Sequence, residues 1–478
     1  MPPMVRVTPD RAWPLFDAAA TRDIEQSLAA QLPPHALMER AGLAVARLAL
    51  ALAPHARTIW VACGPGNNGG DGLEAAVHLR GWGKEVVLTL AAPPDALPAD
   101  AAHAWRKAQH AGLQPTSDGP PSCDLAIDAL LGIGTTRPLA GALADTVQRI
   151  HACGAPVLAV DVPSGLSADT GEGESVRATH TLSLLTLKPG LFTNRGRDAA
   201  GQVWLDDLGA AVGQPPTAWL AGPPAVRPRL HASHKGTHGD VAVIGGATGM
   251  AGAAVLAAVA ALHAGAGRVF LAPLEPAGEL VPGAPELMVR DPGSLPLEQL
   301  AVACGCGGGT GVSEVLPQVL ARAASLVLDA DALNAVAADR RLQQMLAGRT
   351  ATTVLTPHPL EAARLLQAST PEVQADRLQA AQTLVERFGC TVVLKGSGTV
   401  IASPGELPAI NPTGGPRLAT AGTGDVLAGM LAARLAAGLG AHAAALAAVY
   451  HHGHLADRWP EGRPLTAGAL AMQQVESA

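Results

Sequence analysis

The run Val61-Ala-Cys-Gly-Pro-Gly-Asn-Asn-Gly-Gly-Asp-Gly72 decides how the first half of the chain is read. An apolar strand-like stretch breaks into a glycine-rich loop carrying two amides and a carboxylate, and helical spacing starts at Leu73. Such a loop lets a ligand approach bare backbone N–H groups at a helix N-terminus. A tight turn with Asp71 as N-cap is the plainer alternative, yet Asn67, Asn68 and Asp71 together carry more polar groups than a turn requires.

Outward from this loop, short apolar runs alternate with Ala-rich helical stretches at Thr58–Cys63, Glu85–Leu90, Leu125–Leu131, Val157–Val162 and Leu182–Leu187. Runs that are apolar on both faces suit the buried strands of a parallel sheet whose crossovers are helices. Two more runs end in polar loops: Asp128 leads into Gly132-Ile-Gly-Thr-Thr-Arg-Pro138, and Val157–Val160 opens into Asp161-Val-Pro-Ser164-Gly165. Ligands of doubly wound sheets sit at the carboxyl ends of strands, so the three loops are expected to converge.

Between Gly209 and Arg229, five prolines (Pro215, Pro216, Pro223, Pro224, Pro228) deny the chain both helix and central strand, which places a domain boundary there. The expected domains are 1–212 and 225–478. Beyond the boundary the alternation restarts at Asp240–Ile244, Arg268–Leu271, Leu326–Leu328, Thr353–Leu355, Thr391–Leu394 and Val400–Ala402, which predicts a second α/β domain. In it, Ala419-Thr-Ala-Gly-Thr-Gly-Asp425 sets a glycine-rich turn directly before an apolar helix. Unpaired N–H groups at such a turn stabilise charge on a transferred phosphoryl group while a carboxylate accepts the proton of an attacking hydroxyl. Lys395 and Gly396 at one strand end suit a nucleotide polyphosphate, and His358 stands at another.

Composition narrows the partners. At 478 residues the chain has room for two or three domains of about 150 residues each, and its net charge of −7 gives no long-range attraction to nucleic acid or anionic lipid. Only 3% of residues are aromatic, so the cores must be aliphatic and built from small residues. Six cysteines without paired Cys motifs are expected as reduced thiols, and His231, His234, His238 and the His451–His454 group lack the pattern of a zinc site. The apolar windows Ala251–Gly267 and Leu435–Tyr450 carry a histidine each and read as buried helices rather than membrane spans. A cytoplasmic location and a homo-oligomer are expected, with no nucleic-acid or membrane partner.

Leu37-Met-Glu-Arg-Ala-Gly42, Gly64–Gly72, Asp128-Ala-Leu-Leu-Gly-Ile-Gly134 and Asp161-Val-Pro-Ser-Gly165 resemble the N-terminal domain of the YjeF family, the NAD(P)H-hydrate epimerases. Lys235-Gly236 through Gly246, Gly249–Ala254, Asp329–Asn334, Thr356-Pro-His-Pro359, Leu394-Lys-Gly396 and Gly422-Thr-Gly-Asp425 resemble its ribokinase-like C-terminal domain, the ADP-dependent dehydratases. The resemblance implies a Rossmann-like three-layer αβα domain followed by a ribokinase-like three-layer αβα domain. It implies epimerisation of the R and S hydrates of NADH and NADPH (NADHX and NADPHX), then dehydration of the S form by phosphorylation of the ring hydroxyl and loss of phosphate. Asn67, Asn68, Gly69, Gly70 and Asp71, with Gly132, Ile133, Gly134, Thr135, Thr136, Arg137 and Pro138, would hold the hydrate in the first domain. Asp161 would contact its reacting ring, and Asn68, Asp128 and Ser164 would ligate potassium. In the second domain Ala253, Gly309, His358 and Asp425 would contact the hydrate, with Asp425 as base. Lys395, Gly396, Ser397, Gly398, Thr399 and Gly424 would contact ADP, with Mg²⁺ shielding the phosphates, and Asp331 and Asn334 stand as secondary candidates. Two departures are noted: Gly305-Cys-Gly-Gly-Gly309 replaces a Gly-Pro-Gly-Leu-Gly turn, so a slacker loop is expected, and Leu360 replaces a glycine after the His-Pro. A small-molecule kinase and a non-catalytic binding module are the competing readings; the first would not need the N-terminal domain, and the second predicts loss of the polar strand-end residues, all of which are present.

Overall fold

The computed structural model describes residues 4–134, 138–210, 212–225, 230–275, 281 and 283–473. The chain divides into two compact units: Met1–Thr8 with Trp13–Trp219, and Pro9–Ala12 with Leu220–Ala478. Four residues near the N-terminus thus pack with the C-terminal unit, where the Tyr450 hydroxyl donates to the Pro9 carbonyl at 2.9 Å. The proline-rich segment carries a three-residue strand, Ala218–Leu220.

The expected α/β architecture is present in both units. In the first, parallel strands Thr58–Cys63, Glu85–Leu90 and Pro115–Thr116 step one way across the sheet. Leu125–Ala129, Val157–Val160, His180–Leu184 and Gln202–Asp206 step the other way, and Val5–Arg6 adds an antiparallel edge. Alternate residues feed opposite layers: Ile59, Val61 and Cys63 join one core, Trp60 and Ala62 the other, which is what helices on both faces demand. The order reverses between Thr58–Cys63 and Leu125–Ala129, so their outgoing loops leave in opposite directions and open a crevice.

The second unit repeats the scheme. Strand Asp240–Gly245 is followed by Arg268–Pro273 and Met288–Val289 on one side, and on the other by Ala301–Cys304, Ser325–Leu328, Thr353–Leu355 and Thr391–Leu394, all parallel. Val400–Ala402 and Ala409–Ile410 then extend the sheet antiparallel. Its reversal lies between Asp240–Gly245 and Ala301–Cys304.

Several boundaries are corrected: the expected runs Leu125–Leu131, Val157–Val162 and Leu182–Leu187 form strands Leu125–Ala129, Val157–Val160 and His180–Leu184, their remaining residues turning into the site loops. The helix expected from Leu73 begins at Asn67 and runs to Gly81, with Gly66 as N-cap. Glycine disfavours helix interiors by about 1 kcal/mol relative to Ala, but packing overrides it here. A Cβ on Gly69 would lie 2.1 Å from the Gly64 carbonyl oxygen, and one on Gly72 would lie 2.5 Å from Ala129 Cβ.

Small residues play the same part in the second unit, where helix Thr423–Ala436 crosses helix Ala251–His263. A Cβ on Gly429 would lie 1.9 Å from the Ala257 carbonyl oxygen, a backbone atom that cannot turn aside. The substitution Gly429→Ala, stabilising by about 1 kcal/mol in an isolated helix, is therefore expected to destabilise this unit by about 1–3 kcal/mol through overpacking. Urea unfolding of the full chain reads the sign.

Candidate functional sites at the two strand-order reversals

In the first unit, Asp128 is the fourth residue of strand Leu125–Ala129 and is fully buried. Its carboxylate accepts from the Ser164 hydroxyl at 2.6 Å, the Ser164 N–H at 2.8 Å and the Leu130 N–H at 3.3 Å. Burial still pushes its pKa up to about 6, and among the described residues no cationic side chain pairs with it. The Asn68 side chain lies against the next loop, since a Cβ on Gly132 would fall 3.4 Å from its Oδ1, and its Nδ2 is buried without a partner. Asn68, Asp128, Gly132 and Ser164 are thus brought together. Thr135, Thr136 and Arg137 lie outside the described residues, and Pro138 is exposed.

Asp161 follows directly on strand Val157–Val160 with φ of +70°, a left-handed conformation that Asp tolerates better than most residues. Its Oδ1 accepts from the Leu184 N–H at 3.2 Å and from the ammonium of Lys188. Lys188 is fully buried and also donates to the carbonyls of Leu184 at 2.7 Å and Thr186 at 3.0 Å. A desolvated ammonium whose one anionic partner is Asp161 holds that carboxylate in place. Sequence reading missed Lys188, although it stands immediately after the apolar run Leu182–Leu187 as the other site residues follow theirs. It also missed Glu25, on helix Ala18–Ala29. Burial, then the Asp161 charge, raises the pKa of Glu25. Burial and the charges of Asp161 and Glu25 push the Asp71 carboxyl well above its usual range.

In the second unit, Asp425 lies in the first turn of helix Thr423–Ala436, behind a left-handed Gly422. The first amides of that turn have no acceptor within the helix. Burial first, then Asp329, raise the pKa of Asp425 to about 6. The Lys395 ammonium donates to Asp329 Oδ1 at 2.6 Å, and a Cβ on Gly424 would lie 3.4 Å from Lys395 Nζ, so the turn rests against the lysine. The Cys306 thiol, Asp329 and Asp425 place donor atoms within 4.8 Å of one another. A soft thiol and a carboxylate already paired with lysine are a poor cage for Mg²⁺, which prefers oxygen ligands.

The loop Gly305–Gly309 is corrected from slack to pinned. Residues 305–308 are buried, the Gly246 N–H donates to the Cys306 carbonyl at 3.0 Å, and the Ala247 N–H donates to that of Gly307 at 2.7 Å. Gly305, Gly307 and Gly309 all have positive φ, and the Gly309 N–H donates to Asp331 at 2.9 Å. Ala253 borders this loop, because a Cβ on Gly307 would lie 2.9 Å from Ala253 Cβ. Asn334 is engaged by Arg364 at 2.6 Å. His358 caps helix Pro359–Leu366, its Nδ1 accepting from the N–H of the exposed Leu360 at 3.1 Å, so a side chain fits where a glycine was expected. Thr399 Oγ1 donates to the Gly396 carbonyl at 3.2 Å, closing the turn that holds Ser397 and Gly398. Beneath it lies the buried Arg377, which donates to the Leu394 and Lys395 carbonyls at 3.1 and 3.2 Å; sequence reading gave no sign of it.

Two of the histidines set aside as metal ligands have a structural place. His234 caps a short turn, and His452, read as part of a helix end, is buried inside helix Ala441–Asp457 with Nε2 2.9 Å from the Thr423 carbonyl oxygen. None of the six cysteines is in a disulfide. Among the described residues no helix is long and apolar enough to cross a membrane.

Comparison with known proteins matches both units. Residues 34–190 fit the sequence model of the YjeF-related protein N-terminus, and residues 241–476 that of NAD(P)H-hydrate dehydratase. The bifunctional NAD(P)H-hydrate repair enzyme Nnr of Escherichia coli (strain K12) is 38% identical over 452 residues, covering 88% of this chain and 84% of that protein. Its counterpart in Coxiella burnetii is 35% identical over 470 residues, covering 94% and 95%. Among solved structures, the ADP/ATP-dependent NAD(P)H-hydrate dehydratase from Bacillus subtilis co-crystallized with ATP/Mg²⁺ is 31% identical, covers 52% of this chain and 91% of that one, and aligns with a TM-score of 0.45. Matched at this identity along most of its length, the chain belongs to the family of bifunctional NAD(P)H-hydrate repair enzymes.

Proposed function

We propose that the first unit epimerises the R and S forms of NADHX and NADPHX, and that the second dehydrates the S form to NAD(P)H with ADP as phosphoryl donor. The observation that carries this reading is that each unit gathers chemically equipped side chains beyond the carboxyl ends of its parallel strands: Asn68, Asp128 and Ser164 beside the reversal in one, and in the other Lys395, after strand Thr391–Leu394, against Gly424 and Asp425 in the first turn of helix Thr423–Ala436. The two functions follow from what the two crevices hold.

In the second unit Asp425 takes the proton of the ring hydroxyl as that oxygen attacks the terminal phosphorus of ADP. The Lys395 ammonium and the amides at the start of helix Thr423–Ala436 hold the phosphate oxygens and stabilise the charge gathering there. The hydroxyl leaves as phosphate with its bonding pair, and loss of a proton from the neighbouring ring carbon restores the double bond. Lys395 to Thr399 and Gly424 form the nucleotide side of the crevice; Ala253, Gly309 and His358 form the hydrate side. Mg²⁺, carried in by the phosphates, neutralises their charge when bound.

In the first unit Asn67 to Asp71 and Gly132 to Pro138 hold the nucleotide, and Asp161 addresses the reacting ring. The oxygens of Asn68, Asp128 and Ser164 fit potassium. A buried carboxylate without a cationic partner suits a hard monovalent ion, which Asn68, Asp128 and Ser164 would hold and whose charge would offset the desolvation of Asp128.

The test is to incubate the full chain with mixed R- and S-NADHX, K⁺ and Mg²⁺, with ADP or without nucleotide, and to follow NADH absorbance. Complete return of NADH with ADP is expected. Recovery should stop after the S portion in Asp161→Ala and vanish in Asp425→Ala. No return under any condition would sink the reading. A base of pKa about 6 must be deprotonated to act, so the S-dehydration rate should rise about tenfold per pH unit below pH 6 and level off above pH 7; a flat profile between pH 5 and 7 would remove Asp425 as base.

Potassium binding has its own signature. A raised pKa means that folding stability supplied by protonated Asp128 is lost as pH climbs through about 6. The cation binds only the carboxylate form. At 100 times its Kd, potassium should therefore add about 2.7 kcal/mol at pH 8 and much less at pH 5. Calorimetry of the first unit's transition against an organic-cation control measures the difference.

A further inference from the structure

We propose that Glu25 is a second proton-transfer group of the epimerase, acting as general acid on the ring hydroxyl opposite Asp161 as base. The inference rests on the functional reading above and adds a residue to it.

Helix Ala18–Ala29 is fixed to the crevice by two contacts. Thr21, fully buried, meets Thr186 hydroxyl to hydroxyl at 2.8 Å, and Thr186 offers its carbonyl to Lys188. Arg22 donates to the Ile133 carbonyl at 3.3 Å, inside the loop expected to hold the nucleotide. Glu25 lies one turn beyond Thr21 and on the same face. Among the described residues the side-chain carboxyls of Glu25 and Asp71 form no hydrogen bond or ion pair, whereas Asp161 is matched by the Lys188 ammonium. The buried, unpartnered Nδ2 of Asn68 marks the same crevice as a place where a polar ligand completes the bonding.

The electrostatic surroundings separate the roles. Burial first, then Asp161, favour the protonated form of Glu25; Lys188 and Arg22 oppose this, and Asp100, on helix Ala99–His110 and bonded to His35 at 2.6 Å, reinforces it. Asp71, on helix Asn67–Gly81, is held protonated by burial and by the charges of Asp161, Glu25, Glu74 and Asp100. Inversion at the hydroxyl-bearing ring carbon needs a proton given on one face and one taken on the other. Glu25 gives its proton to the hydroxyl, the carbon–oxygen bond breaks with its pair leaving on water, and the adjacent ring nitrogen forms a double bond to the carbon. Water adds to the opposite face, its proton passes to Asp161, and the π pair returns to nitrogen. The configuration is inverted, one water has been exchanged, and one proton has moved from Glu25 to Asp161; exchange with solvent or the reverse reaction resets both.

The full-length enzyme is assayed on R-NADHX without nucleotide, with chromatographic separation of the epimers, and on S-NADHX with ADP. Glu25→Gln should lower the epimerisation kcat by about 10²–10³ with KM nearly unchanged, and should abolish the loss of wild-type rate on the alkaline side, where an acid is titrated away. S-dehydration, run by the other unit, should be unaffected, and an unchanged KM for R-NADHX together with a wild-type thermal transition of the first unit shows that the Glu25→Gln variant is folded there. Glu25→Asp should keep the alkaline limb at reduced rate. In H₂¹⁸O, each wild-type epimerisation should carry one solvent oxygen into the product. Retention of the original oxygen, or a Glu25→Gln variant with kcat within threefold and the alkaline limb intact, overturns the proposal. A wild-type protein that dehydrates but never epimerises overturns the functional reading of the first unit instead.

Discussion

The crevice of each unit depends on where its parallel sheet reverses strand order. A crossover helix covers the edge between consecutive strands, so loops at strand ends are normally roofed. Only where one connection departs left and the next departs right does a crevice remain, and each unit has one. The first is bordered by Gly64–Asn68 and Asp128–Gly132, the second by Gly246 and Gly305–Gly309. Glycine is required at both borders because backbone meets backbone: a Cβ on Gly64 would lie 1.6 Å from the Leu130 carbonyl oxygen, and one on Gly245 would lie 2.2 Å from that of Cys306.

Closely packed crevices force charge into places poor in water, and both units answer with a lysine. Lys188 is wrapped by carbonyls and faces Asp161; Lys395 faces Asp329 beside Asp425. Removing either ammonium would strand a desolvated carboxylate, which costs more than the pair itself contributes. The pairs therefore do more to fix the positions of particular oxygens than to stabilise the fold. Asp128 has no such lysine, and that exception is what makes potassium a reasonable occupant there.

Much of the fold was legible in the sequence, because strands buried on both faces read as continuous apolar runs. Thr58–Cys63, Glu85–Leu90, Thr353–Leu355, Thr391–Leu394 and Val400–Ala402 have the bounds expected for them. Ala301–Cys304 did not stand out, since Ala-Val-Ala-Cys merges into the glycine loop that follows it. Gln202–Asp206 keeps only three apolar residues, Val203 to Leu205, between polar ends. The start of helix Asn67–Gly81 was hidden by its glycines, whose low helix propensity gives way to close packing only the folded unit reveals. Asn68, Asp128, Ser164, Lys395 and Asp425 could be singled out because each ends or follows a recognisable strand or opens a recognisable turn. Glu25 could not: it sits on an amphipathic helix, and tertiary contacts, Thr21 to Thr186 and Arg22 to the Ile133 carbonyl, bring that helix to the crevice. Arg377 was equally invisible, a helical arginine whose burial depends on the loop folded over it.

The two crevices also differ in how many proton carriers they hold, and chemistry explains the difference. Epimerisation has no co-substrate to activate the hydroxyl, so the protein must supply both a donor and an acceptor. The first crevice accordingly gathers Glu25, Asp71 and Asp161, with a single lysine committed to one of them. Dehydration turns the hydroxyl into phosphate at the expense of ADP, so the leaving group needs no acid. On the proposed reading the second crevice accordingly leaves Asp425 as base, while Asp329 is committed to Lys395 and to the Thr356 hydroxyl at 2.8 Å. A shared fold with reversed strand order provides the place, and on the proposed reading the number of carboxylates gathered there matches the number of proton transfers each reaction asks of the protein.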